Sequence, residues 1–590
     1  MSVFQSKLTL LTLIFLFQWV ACKVVQYELN LTWEDKEVAG FTRKAIATNG
    51  HTPGPALWIQ QGDDVEILVN NSMPFGSTLH FHGIEQRGTP WSDGVPGLSQ
   101  YEIAPGDQFL YRWKAEQYGI YMYHAHTRGQ TDDGCYGAMY IQPDESEERP
   151  FGLIAGDEDD LHAMLEAERN TQPLLLSDWR SLTAEEIWQA EIDSGVPSTC
   201  SVAVLINGKG SVKCLSKDEL NAATTPIQRI GLGDRQLTDL GCLPAVTGNS
   251  TGFPQNADIL PETFQDGCRP SQGPEERFIV DPATRYASFD LLSMAGSSQL
   301  VFSVDEHPMY IYAVDGRYVE PVKVDAITLP IGTRYSVLVK LDSKPGDYTL
   351  RAANSFRAQL IGGTGVLSYR NADKQRGPST PSITLGAATI NDAVLLDESI
   401  IVPFPAVAPA PQADHTYILN VDHFNASYRW VMGNSSFPLE AEKATPLLLN
   451  RTSIPTEYTI TTHNDTWVDL ILNVTTAGQP AHPIHKHSTK FFVIGEGSQP
   501  WTWSSVDEAI QNVPQNFNLQ NPQLRDTYAT PAATTSPTWL ALRYHVVNPG
   551  PFLLHCHIQM HMNGGMALAV LDGDDAWPEV PEGYLLPAVE

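Results

Sequence analysis

The stretch "PGPFLLHCHIQMHMNGGM", Pro549 to Met566, sets a cysteine between two histidines, adds a third histidine and closes on a methionine. An apolar strand gains nothing from buried imidazole, which is costly to desolvate without a partner, whereas Leu or Val packs freely. One thiolate, imidazoles and a thioether form the donor set of a blue-copper centre: two His and one Cys in a trigonal plane, with a weak axial Met. Alternate side chains of an extended segment face opposite ways. If Cys556, His561 and Met566 serve one metal, His555 and His557 therefore point towards a second site.

The same layout of apolar strand, Gly turn and returning strand occurs at "YGIYMYHAH" (Tyr118 to His126) and "PGDYTLRAA" (Pro345 to Ala353). Each copy is followed by a second Gly-led apolar run, "GAMYI", "GTGVLSY" and "GGMALAV", so one β module is used three times. Aligned on Gly119, Gly346 and Gly550, the variable positions read His-Ala-His, Arg-Ala-Ala and His-Cys-His. The outer modules carry histidine pairs, and the middle one reads as a spacer.

Two further segments complete the set: "LHFHG" with His80 and His82, and "HPIHKH" with His482, His485 and His487. H-x-H spacing puts both imidazoles on one face of an extended chain, within reach of neighbouring ions. Ten of the seventeen histidines lie in these four motifs, which chance does not produce. Placing His482 and His561 with Cys556 and Met566 leaves eight imidazoles, enough for three more metals between modules one and three. His51, His162, His307, His415, His423, His463 and His545 lie outside the spacing and read as structural or exposed.

The length of 590 residues implies about three domains at roughly 100–200 residues each. Gly 44 and Pro 42, with 18% charged residues, suit a turn-rich all-β chain better than a helical or disordered one. A net charge of -31 argues against nucleic acid or an anionic membrane as partner. "MSVFQSKLTLLTLIFLFQWVACK" has Lys7 ahead of a short apolar run and reads as a signal peptide over residues 1–22, too short to span a membrane. Glycosylation sequons at Asn30, Asn70, Asn249, Asn425, Asn434, Asn450, Asn464 and Asn473 fit a secreted chain without a membrane anchor. With Cys22 removed and Cys556 on metal, Cys135, Cys200, Cys214, Cys242 and Cys268 remain. Two disulfides among the last four are expected, their connectivity open. "AGDEDDLHAMLEAE", Ala155 to Glu168, reads as a solvated acidic linker or surface helix. Asn371 to about Gln412, with "GPSTP" and "PFPAVAPAPQ", reads as an interdomain connector.

Taken together, "NGHTPGPALWIQQGDDVEILVNN", "LHFHGIEQRGTPWSDG", "APGDQF", "YGIYMYHAH", "LLLSDWR", "VLINGKG", "HPIHKH" and "NPGPFLLHCHI", ending on His561 and Met566, resemble the three-domain fungal laccase-like multicopper oxidases. The resemblance implies an all-β chain of three tandem cupredoxin-like Greek-key domains, at residues 23–150, 151–370 and, with the linker, 371–590. It implies four coppers. His482, Cys556 and His561 would hold the type 1 copper with Met566 axial, and His80 and His485 the type 2 copper. His82, His124 and His557 would hold one type 3 copper, and His126, His487 and His555 the other. An aromatic reductant would give electrons singly to the type 1 site, Cys556 would pass them through His555 and His557, and O₂ would leave as water. Asp93 of "WSDG" matches the family's proton-donating acid and also has a plain reading as a turn residue before Gly94. The enzyme is expected to act as a monomer.

Three positions depart from that pattern. The phenol-proton acceptor five residues before Asn207 is Val202, the acid three residues after Cys556 is Gln559, and the Leu between His485 and His487 is Lys486, followed by Ser488, Thr489 and Lys490. The last form resembles oxidases of fungal pigment pathways, which points to phenolic or naphtholic precursors as substrates. The alternative, a ferroxidase, would need acids where Gly478 and the region of Thr199 stand. A non-enzymatic copper store or electron carrier would have no use for the histidine-rich second site.

Overall fold

The computed structural model describes residues 23–250, 252–370 and 377–585. The expected signal peptide with Cys22, and the first residues of the connector, 371–376, lie outside the described residues. The chain forms three pairs of facing sheets, each pair a cupredoxin-like sandwich.

In the first sandwich, Phe41–Thr48, Val24–Val38, Asp64–Asn71 and Gln108–Lys114 are neighbours in one sheet, and Leu57–Gln60, Tyr136–Gln142, Gly119–Ala125 and Leu79–His82 in the other. The strand Asp64–Asn71 shows why these residues form a sheet. Val65, Ile67 and Val69 alternate inward with at most 1% exposure while Glu66, Leu68 and Asn70 face outward, half-buried. Burying each such side chain stabilises the fold by about 1.5–3 kcal/mol. The middle sandwich pairs a six-stranded with a five-stranded sheet between Gln172 and Tyr369, and the last does the same between His415 and Asp572.

The three copies of the β module are the hairpins Gly119–Ala125/Tyr136–Gln142, Asp347–Asn354/Gly362–Tyr369 and Gly550–Cys556/Ala567–Asp572. Trp467–Val474 is buried on both faces rather than alternating, because Trp501, Trp539 and Phe492 cover its outer side near Ile471.

Helices are few. The acidic run forms the helix Glu158–Arg169, capped by Asp157, which accepts from Asp160 N. It is a surface helix, yet two of its acids are buried. Glu168 accepts from Tyr318 Oη at 2.6 Å and Arg149 Nε at 3.2 Å. Between Ile206 and Arg277 the chain leaves the sandwich to form two short helices, Lys217–Ala223 and Pro226–Leu232, and the hairpin Gly248–Ser250/Phe253–Gln255. Two disulfides, Cys200–Cys242 and Cys214–Cys268, fasten this insert. The connector is not free: Val319 bridges to Pro403, and Glu398 accepts from Arg525 Nη1 at 3.1 Å. No helix among the described residues is long and apolar enough to cross a membrane.

One apolar core runs continuously from the middle sandwich, through Phe302 and Leu350, into the last, where it includes Cys556 and Met566. The middle domain is thus a structural partner of the last, and its role exceeds that of a spacer.

Candidate metal centre

His482 precedes the strand Pro483–Lys486, Cys556 ends Gly550–Cys556, and His561 sits in the short helix Gln559–Asn563. The segment closes on itself, with Cys556 N donating to Met566 O at 3.1 Å and Met566 N to His561 O at 2.9 Å. His482 Nδ1 and His561 Nδ1 stand 3.1 Å apart, at 3.9 and 3.6 Å from Cys556 Sγ. All three residues are at most 4% exposed, and Met566 is fully buried beside them. His482 Nε2–H donates to Gln479 Oε1 at 3.0 Å, which leaves Nδ1 as a lone pair. Two inward lone pairs at this separation suit one ion about 2 Å from each. Burial holds His482 neutral down to about pH 3 and pushes the Cys556 thiol well above its ordinary range, so only a cation makes a thiolate here.

The second cluster is built by strand pairing. His80 lies opposite His124 across one ladder, and His485 opposite His555 across another. The rings of the two sets meet between the first and last domains: His80 stacks on His487 at 3.8 Å and His82 on His485 at 3.7 Å. His126 Nε2, His487 Nε2 and His555 Nε2 converge at 3.2 and 3.3 Å, and His557 Nε2 approaches His82 Nδ1 at 3.2 Å, with the His124 ring 5.2 Å from that of His557.

Around this cluster the outward nitrogens are held. His80 Nδ1 donates to Asp93 O at 2.7 Å, His485 Nδ1 to Asp526 O at 2.8 Å, His124 Nδ1 to Ala125 O at 3.0 Å and His555 Nδ1 to Cys556 O at 2.9 Å. Such contacts fix the tautomer and aim the other nitrogen inward. His80 Nε2, His124 Nε2 and His485 Nε2 are buried with no partner in the protein. Burial lowers His124 to about 3 and His555 to about 4, and holds His82, His126, His485, His487 and His557 well below the usual imidazole range. A nest of neutral imidazoles with orphaned lone pairs is otherwise costly, and it fits metal ions in number.

Asp93 caps the turn Pro90–Ser92 and accepts from His487 Nδ1–H through Oδ2 at 2.9 Å, while its Oδ1 has no hydrogen-bond partner. It combines both sequence readings, turn residue and acid beside the cluster. Gly94 follows at φ +81°, where a Cβ would lie 1.8 Å from Leu79 O.

Several residues at the site carry no signal in the sequence. Asp526 stands 3.4 Å from His82 Nε2 and is gripped by Arg334 of the middle domain, at 2.5 and 2.7 Å, and by Lys490 at 2.6 Å. Burial opposes its charge, but these two cations outweigh burial and hold the carboxyl well below its ordinary range. A Cβ on Gly332 would lie 2.8 Å from the His557 ring. A cleft of about 40 Å³ runs between Val95 and Phe437, past Glu442, to His126. That is room for one or two water-sized molecules.

The three positions that depart from the family pattern are all buried. Lys486 is fully buried on the strand face opposite His485 and His487, with Nζ 2.8 Å from Asp572 Oδ2 and 4.3 Å from the Tyr544 ring centroid. It belongs to the domain interior, as Lys490 belongs to the Asp526 cluster. Val202 is 8% exposed in an apolar cluster with Trp179, Leu240 and Cys242, closed by the insert. Gln559 is 2% exposed, its N donating to Gly296 O at 2.9 Å. His423, by contrast, is not a remote histidine. Its ring lies 3.9 Å from Trp430, which lies 4.1 Å from His561.

Three two-sheet domains with a thiolate-histidine pocket beside a histidine nest define a copper oxidase architecture. Multicopper oxidase domain signatures match residues 30–146, 170–372 and 418–576. Laccase abr2 of Aspergillus fumigatus is 43% identical over 574 residues, covering 95% of this chain and 97% of that one. Multicopper oxidase VdtB of Byssochlamys spectabilis is 39% identical over 95% of this chain and 84% of its own. Among solved structures, the laccase from Botrytis aclada superimposes with a TM-score of 0.71 at 25% identity, covering 95% of this chain and 89% of that one. The chain belongs to the multicopper oxidase family and is a laccase-like oxidase, with copper as its resident cofactor.

Proposed function

We propose that the chain is a secreted, glycosylated oxidase that takes single electrons from phenolic or naphtholic aromatics, such as pigment precursors, and reduces O₂ to water. When bound, the four coppers supply one-electron acceptance at one end and four-electron O₂ reduction at the other. His482, Cys556 and His561, with Met566 axial, would hold the type 1 copper, and His80 and His485 the type 2 copper. His82, His124 and His557 would hold one type 3 copper, and His126, His487 and His555 the other. Domain divisions near residues 150 and 370 accompany this reading.

The observation that carries it is covalent: Cys556 lines one pocket while its sequence neighbours His555 and His557 line the other. An electron taken up by a metal held at Cys556 would therefore cross only two peptide-linked side chains to reach the cluster. Asp93 orients His487 and, with its Oδ1 free of hydrogen bonds and 3.4 Å from His80 Nδ1, can pass a proton towards the His80 edge. Six of the eight sequon asparagines are exposed, and Asn70 and Asn473 are half-buried in paired strands. Fe²⁺ is disfavoured as reductant because Gly478 offers no carboxylate.

Copper-loaded protein supplied with a simple phenol, 1-naphthol and Fe²⁺ in parallel should consume one O₂ per four electrons, fastest with the naphthol. O₂ uptake with neither aromatic, or fastest uptake with Fe²⁺, overturns the proposal.

A further inference from the structure

Val202, where the resembling oxidases carry a proton-accepting acid, has no carboxylate to take the proton of an oxidised phenol, and the structure offers another group. His423 and Trp430 are cross-strand partners in the ladder between His415–His423 and Trp430–Met432. Antiparallel partners face the same side of a sheet, so the two rings meet at 3.9 Å. Trp430 in turn lies 4.1 Å from the His561 ring and 5.4 Å from that of His482. An unbroken run of rings thus leads from a side chain with 23% exposure to two ligands of the thiolate pocket. Phe253, on the hairpin tip of the disulfide-fastened insert, stands 5.9 Å from His423 on its outer side.

Polar groups complete the arrangement. Asp422 Oδ1 is 3.9 Å from His423 Nδ1 and accepts from the Thr476 hydroxyl at 2.9 Å, while Asp422 Oδ2 accepts from the Thr475 hydroxyl at 2.6 Å. Gln479 Nε2 also reaches Asp422, at 3.3 Å, while its Oε1 holds His482. The charged group facing His423 is Asp422. Phe253 and Trp430, packed on the ring, carry no charge, and His482 and His561 lie behind Trp430. Burial keeps the imidazole neutral at lower pH than usual, ready to take a proton, and Asp422 stabilises the imidazolium once formed.

We propose that Phe253, His423 and Trp430 form the entry site for phenolic reductants, with His423 as base and the Trp430 ring as the electron path to His561. This rests on the laccase-type reading above. The phenol O–H bond breaks; its proton forms an N–H bond on His423, one electron leaves through the Trp430 ring towards His561, where a bound type 1 copper would take it up, and a neutral phenoxyl radical departs. The imidazolium then returns its proton to solvent. Aromatics docked here stack on the surface and need not enter a deep pocket, which admits fused rings.

The test compares a phenol with ferrocyanide, which gives up an electron and no proton. His423→Gln should lower kcat/KM for the phenol by about 100-fold, the scale of losing a general base, and lower that for ferrocyanide far less. Trp430→Leu should slow both reductants, and Trp430→Phe less so, with the type 1 absorption retained. In metal-free protein, 1-naphthol should shift the His423 ring resonances, and Phe253→Ala should weaken that binding. Equal loss for both reductants in His423→Gln, no loss for the phenol, unslowed turnover in Trp430→Leu, or unmoved His423 resonances each overturns the proposal. Parent enzyme that oxidises neither reductant would instead overturn the laccase reading.

Discussion

The guanidinium of Arg334, from the middle domain, binds both carboxylate oxygens of Asp526, from the last domain, at 2.5 and 2.7 Å, with neither side chain more than 1% exposed. Asp526 carries on its backbone and side chain the contacts that orient His485 and His82. A domain without a single ligand in its β module thereby sets the angle of two imidazoles in the cluster.

Removing Arg334 leaves a buried carboxylate facing Lys490 alone. Arg334→Met is expected to destabilise the protein by about 3–5 kcal/mol, the cost of breaking one side of a buried pair. It should also weaken metal retention by about 10–100-fold, as loss of a ligand-orienting partner does. Thermal unfolding and copper content after dialysis measure the two effects. Arg334→Lys should recover part of the stability and less of the copper, because a point charge does not reproduce the two-pronged grip.

Cys556→Ser separates the two pockets. The variant should bind three coppers instead of four and lose the intense blue thiolate absorption, with the histidine nest still loaded. A variant that stays blue would contradict the thiolate assignment.

Lys486 tests the reinterpretation of the "HPIHKH" segment. Lys486→Leu should cost about 3–5 kcal/mol by stranding Asp572. The double change Lys486→Leu with Asp572→Asn should recover part of that loss, since contacting residues couple by about 0.5–3 kcal/mol. The ratio of kcat/KM for naphthol over phenol should not move in either protein. A changed ratio would instead give Lys486 a part in substrate selection.

The metal motifs were legible because their chemistry is local: H-x-H and His-Cys-His place donors by strand periodicity alone, and the module repeat marks the hairpins that carry them. What sequence did not reveal depends on contacts between distant segments. Arg334 and Asp526 are 192 residues apart, and no spacing rule links them. Val202 matches a substrate position by alignment, but the insert from 211 to 276 covers it, and an alignment carries no account of what packs on top. His423 looked unremarkable because its partner Trp430 becomes visible only once the strand register is known. Glu168 and Asp160 show the same limit in reverse, since an acidic run on a surface helix still turns one face inward.

Asp93→Asn probes proton delivery. The amide oxygen can still accept from His487, so the cluster should load with copper, but the side chain can no longer donate a proton to the reaction. Steady-state O₂ uptake should fall by about 10²–10⁴-fold, while anaerobic bleaching of the blue band by substrate keeps its parent rate. Slowed bleaching would assign Asp93 to the structure of the electron path and not to proton supply.

Metal removal should expose the linkage between the histidine nest and pH. In the folded, copper-free protein His124 and His482 stay neutral to about 3 and His555 to about 4, whereas in the unfolded chain each titrates near about 6.5. Below that value the unfolded state binds protons that the folded state refuses, so stability must fall as the pH drops. Each group removes about 1.4 kcal/mol per pH unit until its folded value is reached. Just below 6.5 the unfolded groups are only partly protonated, so for these three alone the loss between pH 6.5 and 5.5 is about 3 kcal/mol, a fifth or more of the ~5–15 kcal/mol that holds a typical domain. Copper-loaded protein should resist acid further, because bound metal occupies the lone pairs that protons would otherwise take. Urea unfolding of the two forms at pH 7.5, 6.5 and 5.5 gives the measurement. The copper-free midpoint should drop steeply below pH 6.5 and the loaded one much less; parallel curves would mean that the imidazoles are not the neutral, inward-facing donors described here.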